Sequence, residues 1–313
     1  MASSSQTVGE LTMPALLPMV SADKVDSARG VWAPMDWTSI MLRIGPNYRK
    51  HRQKAATEAP LLPCVGLQLM RCESKVYSDG CVDLACMPPE VAAAAAEPTH
   101  IGSGPPPLPR FMIVTFCMPR YSGSAADGPT LRFTYVYAIP PELRSEPGAA
   151  AAMACEFFDG SASGHCDEES HFYDRFKVIA RALQVDKPMG PFLRKMVQWF
   201  NAKPMLWRFF GVWGNCLRRG GVTFVNLDFC TGGRLKNRAF FEGLALARNT
   251  VVFDLAFTLE ARGDDDMPER LLGGATACRL DFEAAPHVHP LGDGRFVPAV
   301  VDDDGSSFWR LVW

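Results

Sequence analysis

Apolar and polar residues alternate with period two in several parts of the chain. From Val251 to Leu259 the apolar side chains Val251, Phe253, Leu255, Phe257 and Leu259 take every second position, with Asp254 and Thr258 between them. Only a strand with one buried face separates them in this way. Arg262 and Gly263 end it. Asp266 is then placed to cap a helical turn that opens with Pro268 and Glu269, and Gly273-Gly274 has the composition of a left-handed stop. Residues 275–282, ATACRLDF, alternate again, so the region predicts strand, capped turn, strand. Residues 110–119 (RFMIVTFCMP) and 131–140 (LRFTYVYAIP) are rich in aromatic and β-branched residues, and the stretch between them has hairpin-loop composition. An antiparallel pair is expected there. In 221–230 (GVTFVNLDFC), Thr223, Val225, Leu227 and Phe229 share one face, and Val222, Phe224, Asn226 and Asp228 the other.

Helical spacing is rarer. Behind an acidic first turn, Phe172, Phe176, Ile179 and Leu183 recur at helical intervals, although 175–180 (RFKVIA) is equally able to finish as a strand. Phe192, Met196, Trp199 and Phe200 repeat the pattern, and 233–249 is a third candidate. Hairpins with helices placed between them predict an α+β fold on an antiparallel sheet with several packed helices. A START-like curved sheet gripping a helix is one such architecture.

Breaks in the pattern suggest the organisation. Residues 1–30 are small, polar and punctuated by proline, as in a poorly ordered leader. The alanine run within 87–109 is bracketed by prolines and reads as an inserted surface loop, and 140–154 is similar but partly helical from Pro147 onward. Residues 283–313 form a C-terminal extension in which Trp309, Leu311 and Trp313 alternate like an edge strand docking on the sheet.

Bulk properties narrow the partners. A net charge of −2 and a pI near 6.3 argue against a generic nucleic-acid binder. Ten cysteines without a C-x-x-C pair read as free thiols in a reducing compartment. The N-terminus lacks a basic region followed by an apolar core, and no run of 18 apolar residues occurs. The expectation is a cytoplasmic chain without a membrane span.

Five stretches then carry a resemblance: 32–54 (WAPMDWTSIMLRIGPNYRKHRQK), 108–119 (LPRFMIVTFCMP), 172–182 (FYDRFKVIARA), 221–233 (GVTFVNLDFCTGG) and 251–274 (VVFDLAFTLEARGDDDMPERLLGG). In this order they resemble the Enhanced Disease Resistance 2 C-terminal family, a eukaryotic domain family, over Trp32 to Phe282. The GPNY at Gly45–Tyr48 and the closing PERLLG are the most specific parts. In the plant proteins this domain follows a pleckstrin-homology and a START domain, neither of which fits in this chain; the whole is similar to a peripheral, lipid-linked regulator. The resemblance brings no catalytic residues and no cofactor. The chain departs from the family pattern where Phe224 and Asn226 replace acids expected beside Asp228, and where a longer segment follows the RFK motif.

One local feature points to a partner. Lys187 to Leu227 contains no acid but holds Lys187, Arg194, Lys195, Lys203, Arg208, Arg218 and Arg219 among many aromatic rings. Rings at headgroup level beside cations facing anionic lipid suit an interfacial segment. Lys195, Trp199, Lys203, Trp207, Arg208, Phe209, Phe210, Trp213, Arg218 and Arg219 are therefore the candidate contacts of a non-catalytic, peripheral membrane-associating module. Two other readings stay open: the rings are core and the cations a solvated helix face, or the segment meets a partner protein as part of a scaffold. The basic run Tyr48 to Lys54 is a smaller candidate, either an anion site tuned by His51 or a solvated loop. No nucleophile elbow, Walker A, HExxH or dinucleotide fingerprint occurs. His287 with His289, and His165 with Cys166, lack a second ligand pair for zinc. Asp228 and Asp254 suggest either paired carboxylates of a hydrolase or acids bound by an arginine such as Arg270.

Overall fold

Strands are the commonest regular element of the described chain, and they form two main sheets that face each other. The computed structural model describes residues 16–45, 48–72, 87–98, 106–119, 130–161, 175–185, 191, 194–195, 198, 201–206, 213–228, 250–282, 284–290, 296–298, 300–301 and 307–308. In chain order the elements are β1 (Val31–Ala33), β2 (Met41–Arg43), α1 (Tyr48–His51), β3 (Lys54–Ala56), β4 (Cys64–Cys72), α2 (Pro89–Ala96), β5 (Phe111–Pro119), β6 (Thr130–Ala138) and α3 (Ala149–Ser161). There follow β7 (Phe176–Val185), β8 (Met205–Leu206), β9 (Trp213–Arg219), β10 (Val222–Asp228), β11 (Val251–Leu259), β12 (Leu271–Cys278), β13 (His287–Pro290), β14 (Phe296–Pro298), β15 (Val300–Val301) and β16 (Ser307–Phe308). One main sheet has the order β1-β12-β11-β7-β8 and the other β14-β13-β4-β6-β5-β10-β9, with β2–β3 and β15–β16 as separate two-stranded pairs. The fold is thus largely β with some helices. The larger sheet is mixed rather than purely antiparallel, because β10 runs parallel to β5 and β13 parallel to β4.

Alternation decides what fills the space between the sheets. From β6 come Leu131, Phe133, Tyr135 and Tyr137, from β5 Met112, Val114 and Phe116, and from β11 Leu255, Phe257 and Leu259, all in one buried cluster. Phe257 sits at its centre, with ring centroids 6.0 Å from Phe116, 5.9 Å from Tyr135 and Tyr137, and 5.4 Å from Phe176. Each such contact adds about 0.5–1.5 kcal/mol to the area buried. Helix α3, expected as the helical part of 140–154, contributes Ala154, Phe157 and Phe158 to the same core.

The outer faces are covered as well, so β11 is buried on both sides and not half-exposed. Met35, Ile40 and Leu42 lie over Ile179, Ala256 and Leu271 on the outside of the smaller sheet. On the larger sheet, the alanine run forms α2, whose Val91, Ala94 and Ala95 pack on Ile113, Val136 and Phe224. It is a docked helix with Pro89 in its first turn rather than a surface loop. Residues 16–30 are not free either: Leu17 N–H donates to the Leu67 carbonyl at 2.7 Å, and Arg279 donates to the carbonyls of Val25 and Ala28 at 3.3 and 3.1 Å.

Two other expectations change, and the choice left open at 175–180 falls to the strand: residues 176–185 are β7, paired along β11. Gly273 and Gly274 lie inside β12. Arg262 to Arg270 is a turn between strands without a helix, so Asp266 caps none; its carboxylate instead accepts from the preceding Arg262 and Gly263 N–H groups at 2.9 and 3.2 Å and closes the turn from behind. The described cysteines, Cys64, Cys72, Cys117, Cys155, Cys216 and Cys278, are free thiols. Among the described residues no helix is long and apolar enough to cross a membrane.

Candidate functional site

The two most specific motifs of the sequence meet at the end of the smaller sheet. Glu269, from the PERLLG stretch, donates its backbone N–H to the Arg43 carbonyl at 3.0 Å, two residues before the GPNY stretch begins. Its carboxylate is fully buried and accepts from Lys177 Nζ at 2.7 Å and from the Ala261 N–H at 3.0 Å. Lys177 is only 2% exposed. Burial pushes its pKa below the ordinary lysine value, and Glu269 pulls it back only in part. Arg43 stands 3.7 Å from Glu269 and 3.3 Å from Glu260, and its guanidinium lies 4.7 Å from the centre of the Tyr48 ring. Arg52 approaches the same ring at 5.9 Å.

Every residue of PERLLGG after its proline has a fixed partner. Arg270 donates to the Ala59 carbonyl at 2.6 Å and pairs with Glu146. Strand alternation sends Leu271 into the outer cluster and Leu272 into the central core, and the register shifts by a bulge opposite Phe257 and Thr258. A Cβ on Gly273 would come within 2.6 Å of the Tyr137 ring, and one on Gly274 within 2.7 Å of the Met35 side chain. These glycines are therefore required by close approach inside a strand and not by a turn.

The profile of the family described as Protein ENHANCED DISEASE RESISTANCE 2, C-terminal matches residues 32–281. The chain belongs to the Enhanced Disease Resistance 2 C-terminal family. No curated protein and no solved structure matches it. The PERLLG stretch and the residues at and beside GPNY in this Enhanced Disease Resistance 2 C-terminal domain thus converge on one buried ion cluster, whose chemistry is that of a tie between the strand β7, the β11–β12 turn, Arg43 and Tyr48.

The acid-free segment lies beside this cluster. Leu206 of β8 pairs with Lys177, and β8 is the edge strand of the smaller sheet, whereas β9 is the edge strand of the larger. Six residues separate the two strands, so the segment crosses from one sheet edge to the other. Lys195, on a helical stretch, is exposed; so are Lys203, next to the turn whose Ala202 N–H donates to the Ala180 carbonyl at 2.9 Å, and Arg219 at the β9–β10 hairpin. Arg218 differs from its expected role. Its guanidinium is partly buried and donates to the carbonyls of Gly220 and Pro107 at 3.0 and 2.6 Å, so it ties the hairpin to the 106–107 backbone. Trp213 opens β9 opposite Asp228, and its side chain lies outside the described residues. Trp199, Trp207, Arg208, Phe209 and Phe210 also fall outside them.

The two strand carboxylates do not share a sheet. Asp228 ends β10 in the larger sheet, while Asp254 lies on β11 in the smaller one. Asp254 is buried, bonded by Thr276 Oγ1 at 2.6 Å and by Arg181, not by Arg270. Burial raises its pKa above the usual carboxylate value against the pull of Thr276 and Arg181. Arg181 also reaches the Asp36 carbonyl at 3.0 Å and Ser39, which fastens the N-terminal cover to the sheet. This acid is structural.

Proposed function

We propose that the protein is a non-catalytic module that associates reversibly with anionic membrane lipid through the side where its acid-free segment crosses between the sheet edges. One observation carries the reading. Seven cations and no acid occupy Lys187 to Leu227, a segment that includes β8 and β9, with Lys195 and Lys203 exposed ahead of β8 and Arg219 exposed at the end of β9. Each cation at an anionic leaflet contributes about 1 kcal/mol, so a few acting together hold a protein there without irreversible insertion. The contact is superficial rather than an apolar hollow of the START type, because Phe116, Tyr135, Tyr137, Phe176 and Phe257 fill the middle of the space between the sheets.

Co-sedimentation with phosphatidylserine-containing vesicles, set against phosphatidylcholine alone, tests this. Binding confined to the anionic vesicles and lost in Lys195→Glu/Lys203→Glu/Arg219→Glu is expected. Equal sedimentation of that variant and the native chain would remove the surface, and a protein-interaction role for the segment would replace it.

A further inference from the structure

We infer that the arc Lys50 to Lys54, seated on Arg43 and Tyr48, is a separate binding site for a phosphomonoester. The arc differs from the carboxylate-paired cations of the fold. Arg43, Arg110, Arg144, Arg175, Lys177, Arg181 and Arg270 each hold a carboxylate. Lys50, His51, Arg52 and Lys54 are all exposed, and among the described residues the aromatic ring of Tyr48, next to Arg52, is the one side chain any of them engages. In a chain of net charge −2, so many uncompensated donors within five residues leave a local excess of positive charge that no acid among the described residues answers.

The backbone sharpens that excess. β2 and β3 pair with Arg43 directly opposite Lys54, an arrangement in which like charges on one face repel. Arg52 has φ +56°, a left-handed conformation that costs a side-chain-bearing residue free energy and that clusters at ligand sites. Here it turns the guanidinium back toward the Tyr48 ring, which Arg43 also approaches. Arg43 is itself anchored from below by Glu260 and Glu269. The loop is closed at its base by Ile44 N–H donating to the Gln53 carbonyl at 3.3 Å. A guanidinium held by an aromatic face, with flanking ammonium groups, suits a compact dianion with three acceptor oxygens. The arc is too short to track a nucleic-acid backbone, which calls for a longer positive stripe.

The site is distinct from the membrane-facing segment proposed above, and the test separates them. The full chain is titrated calorimetrically with inositol hexakisphosphate, and its sedimentation with phosphatidylcholine vesicles containing phosphatidic acid is measured in parallel. Binding of the soluble phosphate that weakens about tenfold or more in Lys50→Glu/Arg52→Glu, and is unchanged in Lys203→Glu/Arg219→Glu, is the expected result. Vesicle binding alone, lost in the Lys50→Glu/Arg52→Glu variant, keeps the site and assigns the phosphate to a lipid headgroup. Arg52→Gly, which relieves the backbone while removing the guanidinium, is expected to weaken binding with an unchanged or higher melting temperature. No binding of either probe, or binding indifferent to Lys50→Glu/Arg52→Glu, overturns the inference; loss of vesicle binding only in Lys203→Glu/Arg219→Glu overturns it while leaving the membrane-facing segment in place.

Discussion

Replacing Lys177 by methionine tests the tie between the two family motifs most directly. The substitution keeps the length of the side chain and removes the ammonium that sits 2.7 Å from Glu269. Glu269 has no exposure to water, and what remains to it is the Ala261 N–H at 3.0 Å and Arg43 at 3.7 Å. Removing one partner of a buried ion pair costs about 3–5 kcal/mol, most of it the stranding of the other charge. Arg43 recovers part of that, so a loss of about 2–4 kcal/mol is expected for Lys177→Met. Glu269→Gln keeps an oxygen for both the Ala261 N–H and Lys177 but leaves the buried ammonium only Glu260, 3.7 Å away, as a charged partner, and is expected to cost about 2–3 kcal/mol. In the double variant no charge is stranded by its partner, and the loss is expected to fall below that of Lys177→Met alone by about 1 kcal/mol or more. Urea unfolding followed by tryptophan fluorescence gives all the free energies on one scale. Simple addition of the two single losses in the double variant, or a cost below about 1 kcal/mol for Lys177→Met, would refute the claim that this pair is desolvated and coupled.

Two further outcomes follow from the same region. Gly273→Ala drives a methyl to within 2.6 Å of a Tyr137 ring that is itself fully buried; a loss of about 1–3 kcal/mol is expected, visible as a lower melting temperature and partly recovered by Tyr137→Leu, whereas an unchanged melt would show that the sheets separate easily at this point. For Asp266, burial works to raise the pKa, but the Arg262 and Gly263 N–H groups and Arg175 hold the carboxyl below its ordinary 3.8. As pH falls the unfolded chain takes up this proton first, so the stability Asp266 supplies is complete above 3.8 and is lost as pH drops through the lowered folded value. Asp266→Ala is expected to cost about 1–3 kcal/mol at neutral pH and to flatten the acid limb of the stability curve; parallel acid limbs for variant and native chain in urea titrations would contradict this.

Period-two alternation made β5, β6, β10, β11 and β12 legible, because it is written into each strand by itself. The pairing of β10 alongside β5 in parallel was not, since nothing local distinguishes a parallel neighbour from an antiparallel one. β7 was ambiguous for a different reason: Phe176, Val178 and Ile179 are apolar on both faces, because the sheet is covered on both sides, and period two is lost where both faces are buried. The outward residues of β7 that do carry charge, Lys177 and Arg181, make sense only with Glu269 and Asp254, 92 and 73 positions away. The same distance hid the ion cluster, although its signal was present in the two most specific motifs and the charged residue at or beside each. Gly273-Gly274 misled because a glycine pair after a short polar stretch is more often a stop than a place where two sheets touch. In the acid-free segment the exposed cations agree with a sequence-level surface, whereas Arg218 shows that an arginine with no nearby acid still finds backbone carbonyls to hold.

The alanine run carries a constraint on copy number that its composition conceals. Its last carbonyl-bearing turn receives the Gly221 N–H at Ala94, 2.7 Å away, and a Cβ on Gly220, whose φ is +54°, would strike the carbonyls of Ala94 and Glu97 at 2.6 Å. Glu97 in turn holds Arg110 at 3.0 Å, one residue ahead of β5. One alanine more or fewer in the run would rotate whatever follows by about 100° and shift it by about 1.5 Å. The hairpin tip and the entry to β5 would both lose their partner in a single step. A change in the length of the run therefore acts on the sheet and is not absorbed as slack.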